Sequence, residues 1–151
     1  MQYIFIFIAF LCEITVNPIF IKTPFSIESI FIVYFAIIIL MQKKIPVAIP
    51  ALLLIISSII TGEIPALNSF ILLISSLLYY KIFLTREQAK SYIVKPKQSS
   101  SIGIFMIILL IATLIKILIL SIFGHTIVIQ SEIFSYIFNS AIFIILTICT
   151  L

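Results

Sequence analysis

Long apolar stretches alternate with short polar breaks along the whole chain, and this alternation sets the first expectation. A helix that crosses a bilayer needs about 20 mostly apolar residues, with a range of about 17–25. Charge, Pro and Gly cut the sequence into six such runs. The first extends from Gln2 to Ile19 and closes near Asn17-Pro18, and Lys22-Thr23-Pro24 makes a short turn after it. The second covers Ser26 to Met41 and stops at Gln42-Lys43-Lys44. The third covers Pro46 to Thr61, with Pro46 suited to the first turn of a helix. Thr61-Gly62-Glu63-Ile64-Pro65 reverses the chain into the fourth run, Ala66 to Phe83. The fifth covers Ile102 to Phe123 and ends at Gly124-His125, and the sixth covers Ser131 to Leu151. The expected fold is therefore an all-α, polytopic membrane domain of six transmembrane helices occupying residues 1–151.

One segment breaks the pattern. Residues 84–101, LTREQAKSYIVKPKQSSS, are rich in Lys, Ser and Pro and read as a solvated loop, with room for a short interfacial helix over Thr85 to Tyr92. Lys43, Lys44, Lys81, Arg86, Lys90, Lys95 and Lys97 fall on one side of a six-span arrangement, and Lys22 on the other. Excess Lys and Arg mark the cytoplasmic side, so both termini are expected there and residues 84–101 form a cytoplasmic loop. The first run lacks a basic leader and a small-residue cleavage site, so it reads as a retained span rather than a signal peptide.

Composition strengthens the membrane reading. The chain is 64% hydrophobic and 9% charged, and its mean hydropathy is +1.41. Soluble domains carry about 25% charged residues. The net charge of +4 does not point to nucleic acid, because the basic residues sit in short gaps between spans rather than along one face. Cys12 and Cys149 lie in apolar runs without CxxC or Cys/His spacing, and read as small buried hydrophobes.

Candidate chemistry is sparse. There is one His, no Asp and only three Gly, so catalytic, metal-ligating and phosphate-cradling motifs are absent from the sequence, and no cofactor or small-molecule substrate is expected. The informative residues are ionisable groups inside spans, each costing about 2.5–3.5 kcal/mol at the bilayer centre on insertion scales. Glu13 and Lys116 each lie six or seven residues from the outer end of their runs, at a depth of roughly 10 Å. Matched depth allows an intramembrane ion pair. The competing reading has Lys116 snorkelling outward and Glu13 protonated or facing the bundle. Glu28 and Glu132 lie at helix starts, where a carboxylate caps the helix dipole or meets a partner; Glu63 is a third outer-side candidate. Asn68 and Asn139 sit within spans, where an amide serves as helix–helix glue. His125 reads as a solvated loop residue. Leu53-Leu54-Ile55-Ile56-Ser57-Ser58 resembles Leu72-Leu73-Ile74-Ser75-Ser76, either as low-complexity likeness or as small residues that let the third and fourth helices approach.

The order of these features resembles the rod shape-determining protein MreD family. The resemblance rests on Pro24 before a short second helix with Val33-Tyr34-Phe35-Ala36, and on the basic turn Gln42-Lys43-Lys44. It continues through Ser58-Ile59-Ile60-Thr61-Gly62, where Ser58 stands in place of the family's Asp. The hairpin entry Glu63-Ile64-Pro65-Ala66-Leu67-Asn68 follows, with Pro65 or Ala66 where Gly is common in the family. Glu132, Phe134 and Asn139 match the acid, aromatic and Asn of the last helix. The resemblance implies a non-enzymatic scaffold in the bacterial inner membrane, part of the rod-shape and peptidoglycan elongation complex. It implies contact with an MreC-like bitopic protein and the cell-wall synthase. The alternatives are a substrate-binding subunit of a vitamin-type transporter, and a small membrane protein with another assembly role.

Overall fold

The computed structural model describes residues 2–20, 27–41, 45–61, 67–84, 98–123 and 129–149. All regular structure among them is helical. Helix α1 covers Gln2–Val16 and continues as a 3-10 turn over Asn17–Phe20. Helices α2 (Ser29–Ile39), α3 (Ala48–Thr61) and α4 (Leu67–Leu78) follow, and α4 runs on as a π-helical segment, Tyr79–Leu84. Helices α5 (Gln98–Ile122) and α6 (Ile129–Cys149) complete the chain.

Three of the helical stretches are long and apolar enough to cross a membrane: Gln2–Ile19, Ser101–Ile122 and Gln130–Cys149, of 18, 22 and 20 residues. The other three apolar helices are shorter. The shortest, α2, has 11 residues. At 1.5 Å per residue it covers about 16 Å, roughly half the thickness of a hydrocarbon core.

Helix α2 is short but central. It packs on α1, α3, α5 and α6, and eight of its eleven residues are buried. Around it α3 packs on α1 and α4, α4 on α5, and α5 on α6. Tyr34 and Phe35 are both fully buried on α2. Phe31 and Phe35 meet Phe105 of α5 edge-on, and Phe105 stacks on Phe143 of α6 with centroids 3.6 Å apart. These rings tie three helices together at the level of the core. The outward faces remain apolar, with Phe7, Leu52, Leu77, Leu118 and Ile137 all exposed.

Several local expectations need correction. Cys12 and Cys149 are exposed, not buried. An outward apolar side chain carries no penalty where the surroundings are lipid. Helix α5 begins at Gln98, so residues 98–101 are helical although they were expected in the polar loop. Pro46 precedes α3 and Pro50 occupies its first turn instead. The first four N–H groups of a helix have no partner within it, so the N–H that Pro50 lacks costs nothing there. Ser57 and Ser58 of α3 and Ser75 and Ser76 of α4 are all buried on helices that pack together, as a small-residue interface requires.

Candidate functional site

The site begins with an unfinished helix end. The N–H groups opening a helix have no carbonyl partner within it, and in an apolar interior each orphan costs several kcal/mol. Ahead of and within the first turn of α2, three such groups are met by side chains from other elements. The Ile27 N–H donates to Asn17 Oδ1 at 3.1 Å, and Asn17 Nδ2 returns a bond to the Ile27 carbonyl at 3.1 Å. The Glu28 N–H donates to Asn139 Oδ1 of α6 at 3.2 Å. The Ile30 N–H donates to Glu13 Oε2 of α1 at 3.1 Å.

Glu13 does more than finish α2. Its carboxylate also accepts from the Ser29 hydroxyl at 3.3 Å and from the Ser57 hydroxyl of α3 at 3.1 Å. Glu13 is only 4% exposed. One acid therefore joins α1, α2 and α3, and it sits at the positive end of the α2 dipole. The one Ser29 hydroxyl proton is shared with the nearer Ala9 carbonyl at 2.8 Å, which fixes α2 against α1 a turn below Glu13.

Lys116 completes the cluster. Its ammonium lies 3.5 Å from Glu28 and 3.4 Å from Glu132, so α5 is tied at once to the start of α2 and to the first turn of α6. All three side chains are at least three-quarters buried. Glu13, Glu28, Asn68, Thr113 and Lys116 line one cavity with a volume of about 20 Å3. That is the room a single water needs.

The expectations from the sequence fare unevenly. Glu13 and Lys116 do share one cavity wall, as their matched depth suggested. The ion pairs seen for Lys116 go to Glu28 and Glu132. Glu28 precedes α2 without a side-chain cap bond, so the capping reading of that residue is corrected: its carboxylate turns to Lys116 instead. Asn139 is glue between α6 and the backbone before α2, and is 1% exposed. Asn68 lies at the start of α4 in the cavity wall. Ser58, where the resemblance expects an acid, is 1% exposed and bonds within its own helix to the Leu54 carbonyl. Tyr34 packs in the core beside Ser76. The Ser76 hydroxyl donates to the Leu73 carbonyl at 2.8 Å, and the Tyr34 hydroxyl makes no hydrogen bond of good geometry. Pro24, Gly62, Glu63 and His125, and most of the loop 84–101, lie outside the described residues.

Sequence reasoning passed over Ser29 and Thr113, and named Asn17 and Ser57 without their contacts to Ile27 and Glu13. Asn17 carried a signal, a lone amide before Pro18, but it read as punctuation rather than as a clasp. Thr113 sits three residues before Lys116, on the same helical face, and that spacing was open to inspection.

Comparison with family models, with curated proteins and with solved structures finds no match.

Proposed function

We propose that this chain is a six-span protein of the bacterial cytoplasmic membrane, with both termini and residues 84–101 in the cytoplasm, and that it serves as a non-enzymatic scaffold of the MreD type in the rod-shape and peptidoglycan elongation complex. Three of the six spans correspond to the long apolar helices, and the basic residues between runs supply the orientation. The short helices are the remaining spans. Irregular backbone at membrane depth is tolerated only where protein buries and satisfies it, which is the service Asn17, Asn139 and Glu13 perform for the start of α2.

The observation that carries the scaffold reading is the use to which the buried polar groups are put. Glu13, Glu28, Glu132 and Lys116 are engaged with one another's helices, joining α1, α2, α3, α5 and α6. Pockets for organic ligands run to about 300–1,000 Å3. A cavity of about 20 Å3 does not take a vitamin, so this site favours a joint over a transporter's substrate site. With the charges turned inward, apolar outward faces are left to meet the membrane helix of an MreC-like bitopic partner.

The test is depletion in a rod-shaped host together with affinity purification from gently solubilised membranes. The scaffold reading expects rounded cells and recovery of the bitopic partner with the synthase. Normal rods, or tight co-purification of a small organic ligand, would favour the transporter alternative.

A further inference from the structure

The lipid-facing helices are of two heights. Gln2–Ile19, Ser101–Ile122 and Gln130–Cys149 offer 18, 22 and 20 residues to a bilayer. At 1.5 Å per residue they cover about 27, 33 and 30 Å, close to a hydrocarbon core of about 30 Å. Helix α3 has 14 residues, and the apolar stretch of α4, Leu67–Lys81, is of about the same length. Each covers only about 21 Å. Local sequence keeps them short. Ile45 and Pro46 precede α3 in non-helical backbone, Gly62, Glu63 and Pro65 follow it in the sequence, and Lys81 closes the stretch of α4 with a charge. Tilt cannot make up the difference, because tilting lowers the height that a helix covers; a helix shorter than the core draws the bilayer in around it instead.

Helix α2 is shorter still, but eight of its eleven residues are buried, so its length is matched to protein. Helices α3 and α4 do face outward, with Leu52, Ile56, Ile59 and Leu77 exposed. Their small residues, Ser57, Ser58, Ser75 and Ser76, are turned inward and buried. Membrane helices pack on one another through small residues that let the backbones approach. This pair spends its small residues on contacts within the chain and presents large aliphatic side chains outward, a surface suited to acyl chains rather than to a further helix.

We infer that the outward face of α3 and α4 is a lipid-binding surface that thins the bilayer beside it, and that it takes phospholipids with shorter acyl chains than those against α5 and α6. The inference rests on the six-span reading, in which α3 and α4 are spans, and it leaves the taller faces to a protein partner.

The chain has no Trp, so one introduced Trp reports on the lipid at one place. Ile56→Trp on α3 and Ile137→Trp on α6 put it at exposed positions towards the middles of their helices. The full chain is reconstituted into vesicles of a brominated phosphatidylcholine, which quenches Trp on contact. Unbrominated phosphatidylcholines with hydrocarbon cores of roughly 22 or roughly 30 Å are mixed in as competitors. The competitor that wins the place beside the Trp relieves the quenching. In Ile56→Trp the thin-core lipid should bind about two- to threefold better than the thick-core lipid, and in Ile137→Trp the thick-core lipid should bind at least as well. Leu52→Trp, also exposed on α3, should repeat the Ile56→Trp result and serves in its place if that variant folds poorly. The same preference on both helices, or a preference for the thick-core lipid on α3, overturns the inference. Quenching in Ile137→Trp with none on α3 also overturns it, since a second copy of the chain would then cover that face. An absence of quenching at all three positions removes the six-span reading and the inference with it.

Discussion

The Glu13 carboxylate accepts the Ile30 backbone N–H at 3.1 Å, so an acid on the first helix finishes the start of the second. The same carboxylate takes the hydroxyls of Ser29 and Ser57. Glu13→Ala leaves the buried Ile30 N–H and Ser57 hydroxyl without that acceptor, while Ser29 keeps the Ala9 carbonyl. We expect a loss of about 3 kcal/mol, read as a fall in Tm of about 6–12 °C in detergent. Glu13→Gln keeps one carbonyl oxygen for Ile30 and should lose about half as much. Equal losses in the two variants would show that charge, not acceptance from α2, is what the position supplies.

Removing one member of a buried ion cluster costs more than removing all of them, because it leaves charge without a counter-charge. Lys116→Gln leaves Glu28 and Glu132 confronting each other, at an expected cost of about 3–5 kcal/mol. The triple variant Lys116→Leu, Glu28→Gln, Glu132→Gln should recover most of that stability. Denaturation of the single and triple variants side by side measures the difference. A triple variant less stable than Lys116→Gln alone would contradict the assignment of these partners.

Asn17 and Asn139 hold neighbouring backbone groups, at Ile27 and Glu28, from two different elements. Each Asn→Ala change should cost about 1–3 kcal/mol. Because Asn17 holds Ile27 and Asn139 holds the adjacent Glu28, their double variant should depart from additivity by more than about 0.5 kcal/mol. Additive losses would mean that the two clasps work independently.

Tyr34 belongs to the motif on which the family resemblance partly rests, yet its hydroxyl lacks a well-formed hydrogen bond. Tyr34→Phe should therefore stay within about 1 kcal/mol of the parent or exceed it, whereas Tyr34→Ala should lose about 3–5 kcal/mol. Loss of partner recovery in Tyr34→Phe with unchanged Tm would assign the hydroxyl to recognition instead of packing.

The helices were legible because apolar length and polar punctuation report directly on what a bilayer admits. Asn17-Pro18, Gln42-Lys43-Lys44 and Gly124-His125 each mark the end of a run, and the helices fall between them. Helix α2 begins only at Ser29 because Ile27 and Glu28 are held in non-helical backbone by Asn17 and Asn139, a tertiary effect invisible to hydropathy. The site was half legible. Depth along a helix follows from counting residues, so Glu13 and Lys116 were placed on one level and do line one cavity. Which acids reach Lys116 depends on how α2, α5 and α6 are arranged around one another, and the sequence carries no periodic signal for that. The same limit explains why the contacts of Glu28 with Lys116 and of Ser57 with Glu13 were not legible.

The scaffold account is tested most directly by photo-crosslinking in living cells, with a photoreactive residue at exposed Ile137 of α6 and, as the buried control, at Phe143. The account predicts an adduct from Ile137 with a single-span protein of the elongation machinery, none from Phe143, and rounded cells when the chain is depleted. No such adduct from Ile137 or from the outward positions Leu52, Leu77 and Leu118, in cells that keep their rod shape on depletion, would contradict it.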